Sequence, residues 1–427
     1  MTQYFGTDGI RGVYGETLTL AMAYHIGRAL KLVFNVDEAF IASDTRASKD
    51  ALKQALATGA ATQGVRVYDA GILPTPALAL YAERYQCVTI MVTASHNPYT
   101  DNGIKIFDRG AKLSEATELQ IEALFNDAVL DDLTMTLDYT SRVKEYYQTL
   151  FECFKPTSVT VTLDCANGAL YEVAPQMLRS KVKILNVIHH QPSGQNINEH
   201  CGSTHLDSLI ETMKTQPTEV GFAFDGDGDR VLAVDAHGRI YTGDHLIYVL
   251  AKHYHALDQL PHQKVALTVM SNPGILAAYK HEGIGVVKTP VGDKYISTAL
   301  RNDGLALGGE ASGHIIDARY AMTGDGLYIA HKIIEIMNLK NQSLAELTAA
   351  LTFYPEILTN HRDLNPKVLE KESFKALLNQ RQNEFEDEGT ILVRKSGTES
   401  LIRLYVSHRE EARMQAVHQE LLQALTD

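Results

Sequence analysis

The sequence predicts an α/β protein of three successive layered units followed by a smaller C-terminal α+β domain. Three observations carry that reading. Apolar β-like runs alternate with segments of helical apolar spacing, the pattern that layers helices on sheets. The alternation begins afresh near residues 158 and 264, so units of roughly 100 residues follow one another, a usual domain size. Beyond residue 355 the texture changes to an exposed helix, two strands and a closing helix.

In the first unit, "LTLAMAYHIGRALKLVF" predicts a helix, "AFIASDT" a strand, "SKDALKQALATGAATQG" a helix and "VRVYDAG" a strand. "PTPALALYAERY" follows as a helix with proline near its start, where a missing N–H costs nothing. "CVTIMVTAS" is a short apolar strand that empties into "VTASHNPYTDNGIK", whose Ser, Asn, Pro, Asp and Gly are loop-forming residues. The second unit reads as a strand, turn and helix from "SVTVTLDCANGA", a strand in "KVKILNVIHH" and a buried strand opening "VGFAFDGDGDR". The third runs through "KVALTVMSNPG", a helix, "IGVVKTPVGDKY" and "LALGGEASGHII". The last contains "ESFKALLNQRQNEF" as a helix, "TILVRKSGTESLIRLYVSH" as two strands around a loop, and the helix "EEARMQAVHQELLQAL". Domain boundaries are expected at 1–145, 146–248, 249–355 and 356–427.

Composition narrows the function classes. The net charge of −13 comes with no Lys/Arg run, which argues against non-specific nucleic-acid binding. No apolar run reaches the ~18–20 residues of a membrane span, and "MTQYFGTDGIRG" lacks a basic-then-apolar leader. The four cysteines form no CxxC pair and no zinc spacing, as suits reduced thiols. A cytoplasmic protein is expected, with a small-molecule partner and neither nucleic acid nor membrane, as a monomer or homodimer.

Five loops carry chemistry. "FDGDGDR" sets Asp225, Asp227 and Asp229 at alternate positions. Repulsion makes such a cluster costly without a cation, and hard oxygen ligands suit Mg²⁺ or Ca²⁺. A calcium EF-hand fails, because Arg230 stands where its glycine belongs and Ala236 where its glutamate belongs. "FGTDGIRG" is a glycine-permissive loop that brings Arg11 towards an anion, although its spacing is not that of a dinucleotide site. "VRKSGTESLIR" places two hydroxyls and backbone N–H groups of a Ser-Gly-Thr turn between Arg394 and Arg403, a good phosphate nest. "GGEASGH" offers Glu310, Ser312 and His314, suited to sugar hydroxyls, with Lys294 able to add a charge. Ser95 lacks the GxSxG frame of a hydrolase nucleophile, and in extended backbone His96 would face away from it. A hydroxyl esterified by phosphate, with the aspartate-bound metal holding that phosphate and Lys105 moving a proton, is the remaining reading.

"FGTDGIRG", "TASHNP", "DGDGDR", "GEASGH" and "RKSGTE" occur in this order over essentially the whole chain. In this the sequence resembles the α-D-phosphohexomutases, which isomerise sugar 6-phosphates and 1-phosphates. "DCANGALY" and "NINEHCGST" make it most similar to members acting on a hexosamine phosphate. The resemblance implies three related α/β domains with mixed sheets and a smaller fourth domain around a central cleft. It implies Mg²⁺ held by Asp225, Asp227, Asp229 and Ser95, and a phosphorylated Ser95. Arg11, Arg230 and Lys105 would stabilise the phosphoryl group in transfer, with His96 and His314 beside it. Glu310, Ser312 and Lys294 would bind the sugar, and Arg394, Ser396, Gly397, Thr398 and Arg403 the phosphate that is not reacting. A hexose 1,6-bisphosphate would serve as intermediate and activator. Two departures from the family pattern are Ser400, where proline is usual, and Ala311, where a longer residue is usual. Other readings remain: a phosphomannomutase or phosphoglucomutase within the same family; a haloacid-dehalogenase-like phosphatase, against which the mid-chain, glycine-spaced triplet argues, since its DxD motif would follow the first strand; and a non-catalytic sugar-phosphate binder.

Overall fold

The computed structural model describes residues 2–6, 8–126, 135–362, 364–395 and 401–426. By packing, the chain divides into one unit of Met1–Val269 with Val287–Leu347, and a second of Met270–Val286 with Thr348–Asp427. Among the described residues there are four sheets.

The first sheet runs, edge to edge, through Phe5–Gly6, Gly9–Val13, Asp101–Asp108, Val88–Val92, Glu38–Ser43, Arg66–Ile72 and Asp138–Tyr139. Val88–Val92, Glu38–Ser43 and Arg66–Ile72 are parallel, while Asp101–Asp108 returns antiparallel beside Val88–Val92. The second sheet repeats the scheme. Ile184–Ile188, Thr160–Asp164 and Val220–Phe224 are parallel, and Val231–Asp235 returns antiparallel. The third does so again, with Lys264–Thr268 and Leu307–Gly309 parallel and Ile315–Asp317 returning. In each sheet a hairpin leaves the C-terminal end of a parallel strand, where open α/β sheets place ligands. Those three hairpin turns carry Ser95, the Asp225–Asp229 triplet and Glu310–His314. Structural repetition without residue-level repetition is thus a property of the topology.

The strands leading into the first two turns are buried throughout, which is why "VTIMV" and "VGFAF" read as continuous apolar runs rather than alternating ones. Two expectations need correction. "FGTDGIRG" is not a loop: Phe5–Gly6 and Gly9–Val13 pair antiparallel, and the second strand joins Asp101–Asp108 with Arg11 opposite Gly103. The polar run after Ser95 likewise becomes strand from Asp101, because Gly9–Val13 and Val88–Val92 on its two sides satisfy its backbone groups.

The helices Leu20–Leu32 and Lys49–Ala61 cover the first sheet through a glycine contact. A Cβ at Gly27 would lie 1.9 Å from the Leu56 carbonyl oxygen, and one at Gly59 1.9 Å from that of Tyr24. No side-chain rotation relieves a clash with backbone, so these helices must part if either glycine grows. In the second unit, Glu356–His361, Ile402–His408 and Gly389–Lys395 form an antiparallel sheet. Phe374, Phe385, Leu404, Val406, Val417 and Leu421 contribute to its core. No helix among the described residues is long and apolar enough to cross a membrane.

Gly59→Ala should lower stability by about 1–3 kcal/mol through overpacking, read as a lower midpoint in urea unfolding followed by circular dichroism.

Candidate active site

Ser95 does not sit in extended backbone. Its φ is +55°, uncommon for a residue with a Cβ, and its side chain is 1% exposed. A conformation of this kind costs on the order of 1–3 kcal/mol and persists only where its surroundings impose it. Here they do. The Ser95 N–H donates to Thr93 Oγ1 at 2.9 Å, and Thr93 Oγ1 donates to Asp44 Oδ2 at 2.6 Å. Asp44 pairs with the fully buried Arg46, whose Nη2 donates to the carbonyls of Asn97 at 2.5 Å and Ser95 at 3.3 Å. From the second sheet's side, Asn198 Nδ2 donates to the same two carbonyls, at 2.8 Å to Ser95 and 3.1 Å to Asn97. Gly226 closes the grip, since a Cβ there would meet the Ser95 carbonyl oxygen at 2.5 Å.

This geometry overturns one argument from the sequence. With Ser95 left-handed, His96 does not point away: its Nδ1 lies 3.3 Å from Ser95 Oγ. Burial, then the Arg230 and Arg11 charges, depress His96 to about 4, so it is neutral at physiological pH. Ser95 Oγ instead donates to Asp225 Oδ2 at 2.6 Å, which orients the hydroxyl towards the acidic turn.

The ligand oxygens of Asp225, Asp227 and Asp229 lie within 4.8 Å of one another, and all three residues are buried. Thr75 Oγ1 donates to Asp227 Oδ2 at 2.5 Å, and the Arg230 N–H donates to Asp225 Oδ1 at 3.1 Å. Asp227 Oδ1 and Asp229 Oδ1 are buried without a hydrogen bond. Burial, then Asp229 and Asp227, push Asp225 well above the ordinary carboxylate range. Orphaned, mutually repelling carboxylate oxygens are what a hard divalent cation satisfies, so the donor set fits Mg²⁺.

Positive charge faces the triplet. Lys105 Nζ, 3% exposed, meets Asp227 at 2.7 Å, Asp229 at 3.1 Å and Asp8 at 2.7 Å. Burial alone would depress Lys105, but Asp227, Asp229 and Asp8 hold it well above its usual value, as a cation. Asp8 also binds Arg11 at 2.6 Å and Lys112 at 2.6 Å, and Lys112 pairs with Asp293. His314 lies between two carboxylates, 3.6 Å from Asp229 and 3.7 Å from Asp293. Burial opposes its charged form, yet Asp229 raises it above the ordinary imidazole value. Arg230 pairs by a backbone bridge with His314, tying the second sheet's turn to the third's.

Ser95, Lys105, Arg11, Arg230, His96, His314 and the three aspartates therefore share one site. Glu310 lies on the same unit, where one of its oxygens accepts the Gly292 N–H at 3.0 Å. Ser312 is exposed, and Lys294 lines a small cavity with Asp8, Gly9, Lys105, Lys112 and Glu118. In the second unit Arg394 and Arg403 stand directly opposite across the antiparallel pair, with Asn360 opposite Arg403 on its other side. Burial, then Arg403, depress Arg394, a like-charge juxtaposition that an anion relieves. Ser396, Gly397 and Thr398 lie outside the described residues, as does Ser400. The sequence reading missed Asp8, Thr75, Arg46, Asn198, Lys112 and Asp293. Asp8 and Asn198 stood inside quoted motifs. Arg46, by contrast, grips backbone carbonyls and carries no motif of its own.

Buried carboxylates at parallel-strand ends, a metal-fitting triplet and an adjacent serine define a phosphoryl-transfer enzyme class. Four consecutive segments match the phosphoglucomutase/phosphomannomutase family: α/β/α domain I over residues 2–130, domain II over 138–238, domain III over 242–354 and the C-terminal domain over 358–424. The chain belongs to that family, and is an isomerase of the phosphohexomutase type. Among its relatives is the phosphoglucosamine mutase of Finegoldia magna, 39% identical over 432 residues that cover 95% of this chain and 94% of that one. The phosphoglucosamine mutase of Bacillus cereus is 38% identical over 420 residues, with 95% and 94% covered. The crystal structure of a phosphoglucomutase/phosphomannomutase family protein from Burkholderia thailandensis is similar with a TM-score of 0.83 at 25% identity, over 100% of this chain and 98% of that one.

Two outcomes follow from this geometry. Asp225 titrates above its unfolded value in the metal-free protein, so the stability it contributes is present in acid and lost as pH rises through the raised pKa. Mg²⁺ should therefore raise the unfolding temperature more at neutral pH than in mild acid. Asp225→Asn should stabilise the metal-free chain and abolish the Mg²⁺ effect. Scanning calorimetry with Mg²⁺ or EDTA reads both. Asn198→Ala removes one of two donors on each gripped carbonyl. Mutase turnover should fall about 10- to 100-fold with KM little changed, as steady-state kinetics would measure.

Proposed function

We propose that the chain interconverts glucosamine 6-phosphate and glucosamine 1-phosphate through a phosphorylated Ser95. The observation that carries this is the buried Ser95 hydroxyl, held 2.6 Å from Asp225 in a metal-fitting triplet and faced by the cationic Lys105. The choice of sugar is supported by the names of the relatives at 38–39% identity.

Phosphoryl transfer requires in-line placement and charge stabilisation more than covalent machinery. Phospho-Ser95 gives its phosphoryl group to the free C1 hydroxyl of the 6-phosphate: the bond from Ser95 Oγ breaks and a bond to the sugar oxygen forms. The 1,6-bisphosphate so made turns end for end and returns its other phosphate to Ser95. Added bisphosphate therefore primes the enzyme. Mg²⁺, held by Asp225, Asp227, Asp229 and an oxygen on Ser95, supplies charge neutralisation when bound. Arg11, Arg230 and Lys105 offset the remaining charge of the group in transfer. With Asp227 and Asp229 engaged by the cation, Lys105 is the group that gives and takes the hydroxyl proton, and His314, raised above the ordinary imidazole value by Asp229, adds positive charge beside it. His96 stays neutral beside the serine. Glu310, Ser312 and Lys294 bind sugar hydroxyls, and Arg394, Ser396, Gly397, Thr398 and Arg403 bind the phosphate that is not reacting. We place the enzyme in the cytoplasm, acting on a small sugar phosphate.

³¹P NMR of the protein with Mg²⁺ and a trace of glucose 1,6-bisphosphate tests this, with glucosamine, glucose and mannose 6-phosphates in separate tubes. The 1-phosphate should grow fastest from glucosamine, and Ser95→Ala should cut turnover at least about 10³-fold. Faster conversion of glucose or mannose overturns the sugar assignment. Near-normal activity of Ser95→Ala overturns the phosphoserine.

A further inference from the structure

We propose that Asp164, His189 and Cys201 form a second cation site, for a borderline transition metal of the Zn²⁺ class and not for Mg²⁺. The proposal is independent of the mutase reading, and no residue of the reacting centre takes part.

The three residues come from separate segments of the second sheet's C-terminal edge. Asp164 ends the strand Thr160–Asp164, and His189 follows its parallel neighbour, in which Ile188 stands opposite Asp164. Cys201 closes the loop that follows. One carboxylate oxygen, one imidazole nitrogen and the thiol sulfur lie within 4.8 Å of one another. Asp164 and Cys201 are fully buried, and the His189 side chain is 28% exposed, which leaves an entry path.

Two features mark this as more than an ion pair. His189 Nδ1 lies 3.0 Å from Asp164 Oδ1, yet it is buried without a hydrogen bond. A nitrogen and a carboxylate oxygen that face each other in this way are satisfied by a cation between them. In a tetrahedral zinc site with bonds of 2.0–2.1 Å, such ligand atoms stand about 3.3 Å apart. Asp164 has capacity to spare: Oδ1 accepts the Ala166 N–H and Oδ2 the Gly202 N–H, each at 2.9 Å, and each oxygen retains a lone pair.

Ligand chemistry separates this site from the aspartate triplet. An all-oxygen set favours Mg²⁺, whereas a mixed oxygen, nitrogen and sulfur set favours zinc and its neighbours. Burial, then the charges of Asp164 and Glu199, push the Cys201 thiol up to about 12. The metal therefore displaces the thiol proton on binding and releases it to solvent. Three protein ligands leave a fourth position for water. A bound cation would tie two strand ends to the loop that carries Asn198.

Cobalt substitution is the test, on the full chain with excess Mg²⁺ to occupy the oxygen triplet. One equivalent of Co²⁺ should produce a thiolate-to-cobalt charge-transfer band, which the triplet cannot give. Zn²⁺ should displace it, and further Mg²⁺ should not. Cys201→Ser should abolish the band, and His189→Ala should weaken Co²⁺ binding roughly tenfold or more. Circular dichroism checks that both variants fold. If Cys201→Ser does not, Zn²⁺ should raise the unfolding temperature of wild type and not of His189→Ala. No band in wild type, a band surviving Cys201→Ser, or sensitivity to His200→Ala or His205→Ala in place of His189→Ala would each overturn the proposal.

Discussion

Burying three carboxylates beside one serine is the constraint on which the rest of the first unit depends. Asp225, Asp227 and Asp229 are out of water and close together, and unpaired charges so placed cost several kcal/mol each. Lys105 answers two of them directly, and a cation is needed for the oxygens that remain orphaned. Asp8 and Asp293 then hold Lys105, Lys112, Arg11 and His314 in place around the triplet. The positive groups that offset the triplet are also the ones that would meet a phosphoryl group. Stability and the proposed chemistry therefore rest on the same contacts.

Topology explains how so many charges reach one place. A hairpin leaving a parallel strand appears in three sheets, and each brings a different loop to its C-terminal edge. The serine turn is the most constrained of the three. Arg46 and Asn198 approach it from different sheets and grip the same two carbonyls, so the strained backbone of Ser95 is imposed from both sides. Preorganisation of this kind keeps Ser95 Oγ aimed at Asp225 before any substrate arrives.

Much of this was legible in the sequence, for identifiable reasons. Three aspartates with glycines between them point towards a cation, because carboxylates buried so close together repel one another. "VGFAF" and "VTIMV" announce central strands, because burial on both faces demands continuous apolar residues. The strand Asp101–Asp108 was hidden behind its polar start, although it carries Lys105. The helices Gly243–Ala256 and Gly326–Lys340 were passed over; both are buried over most of their surface, which blurs the amphipathic period. His96 was misplaced because a single left-handed φ at Ser95 reverses the usual strand alternation. Arg46 was illegible because a side chain that holds backbone carbonyls leaves no pattern of residue types, and Asn198, although inside a quoted motif, carried no sign of that role.

The most direct test of the central claim follows the phosphoryl group itself. The protein would be labelled at Ser95 with ³²P from glucose 1,6-bisphosphate, freed of excess label and mixed with glucosamine 6-phosphate in a quenched-flow experiment. The account predicts that label leaves Ser95 and appears first in the sugar 1,6-bisphosphate, then in glucosamine 1-phosphate. Label that never attaches to Ser95, or that leaves it only as inorganic phosphate, would contradict the account.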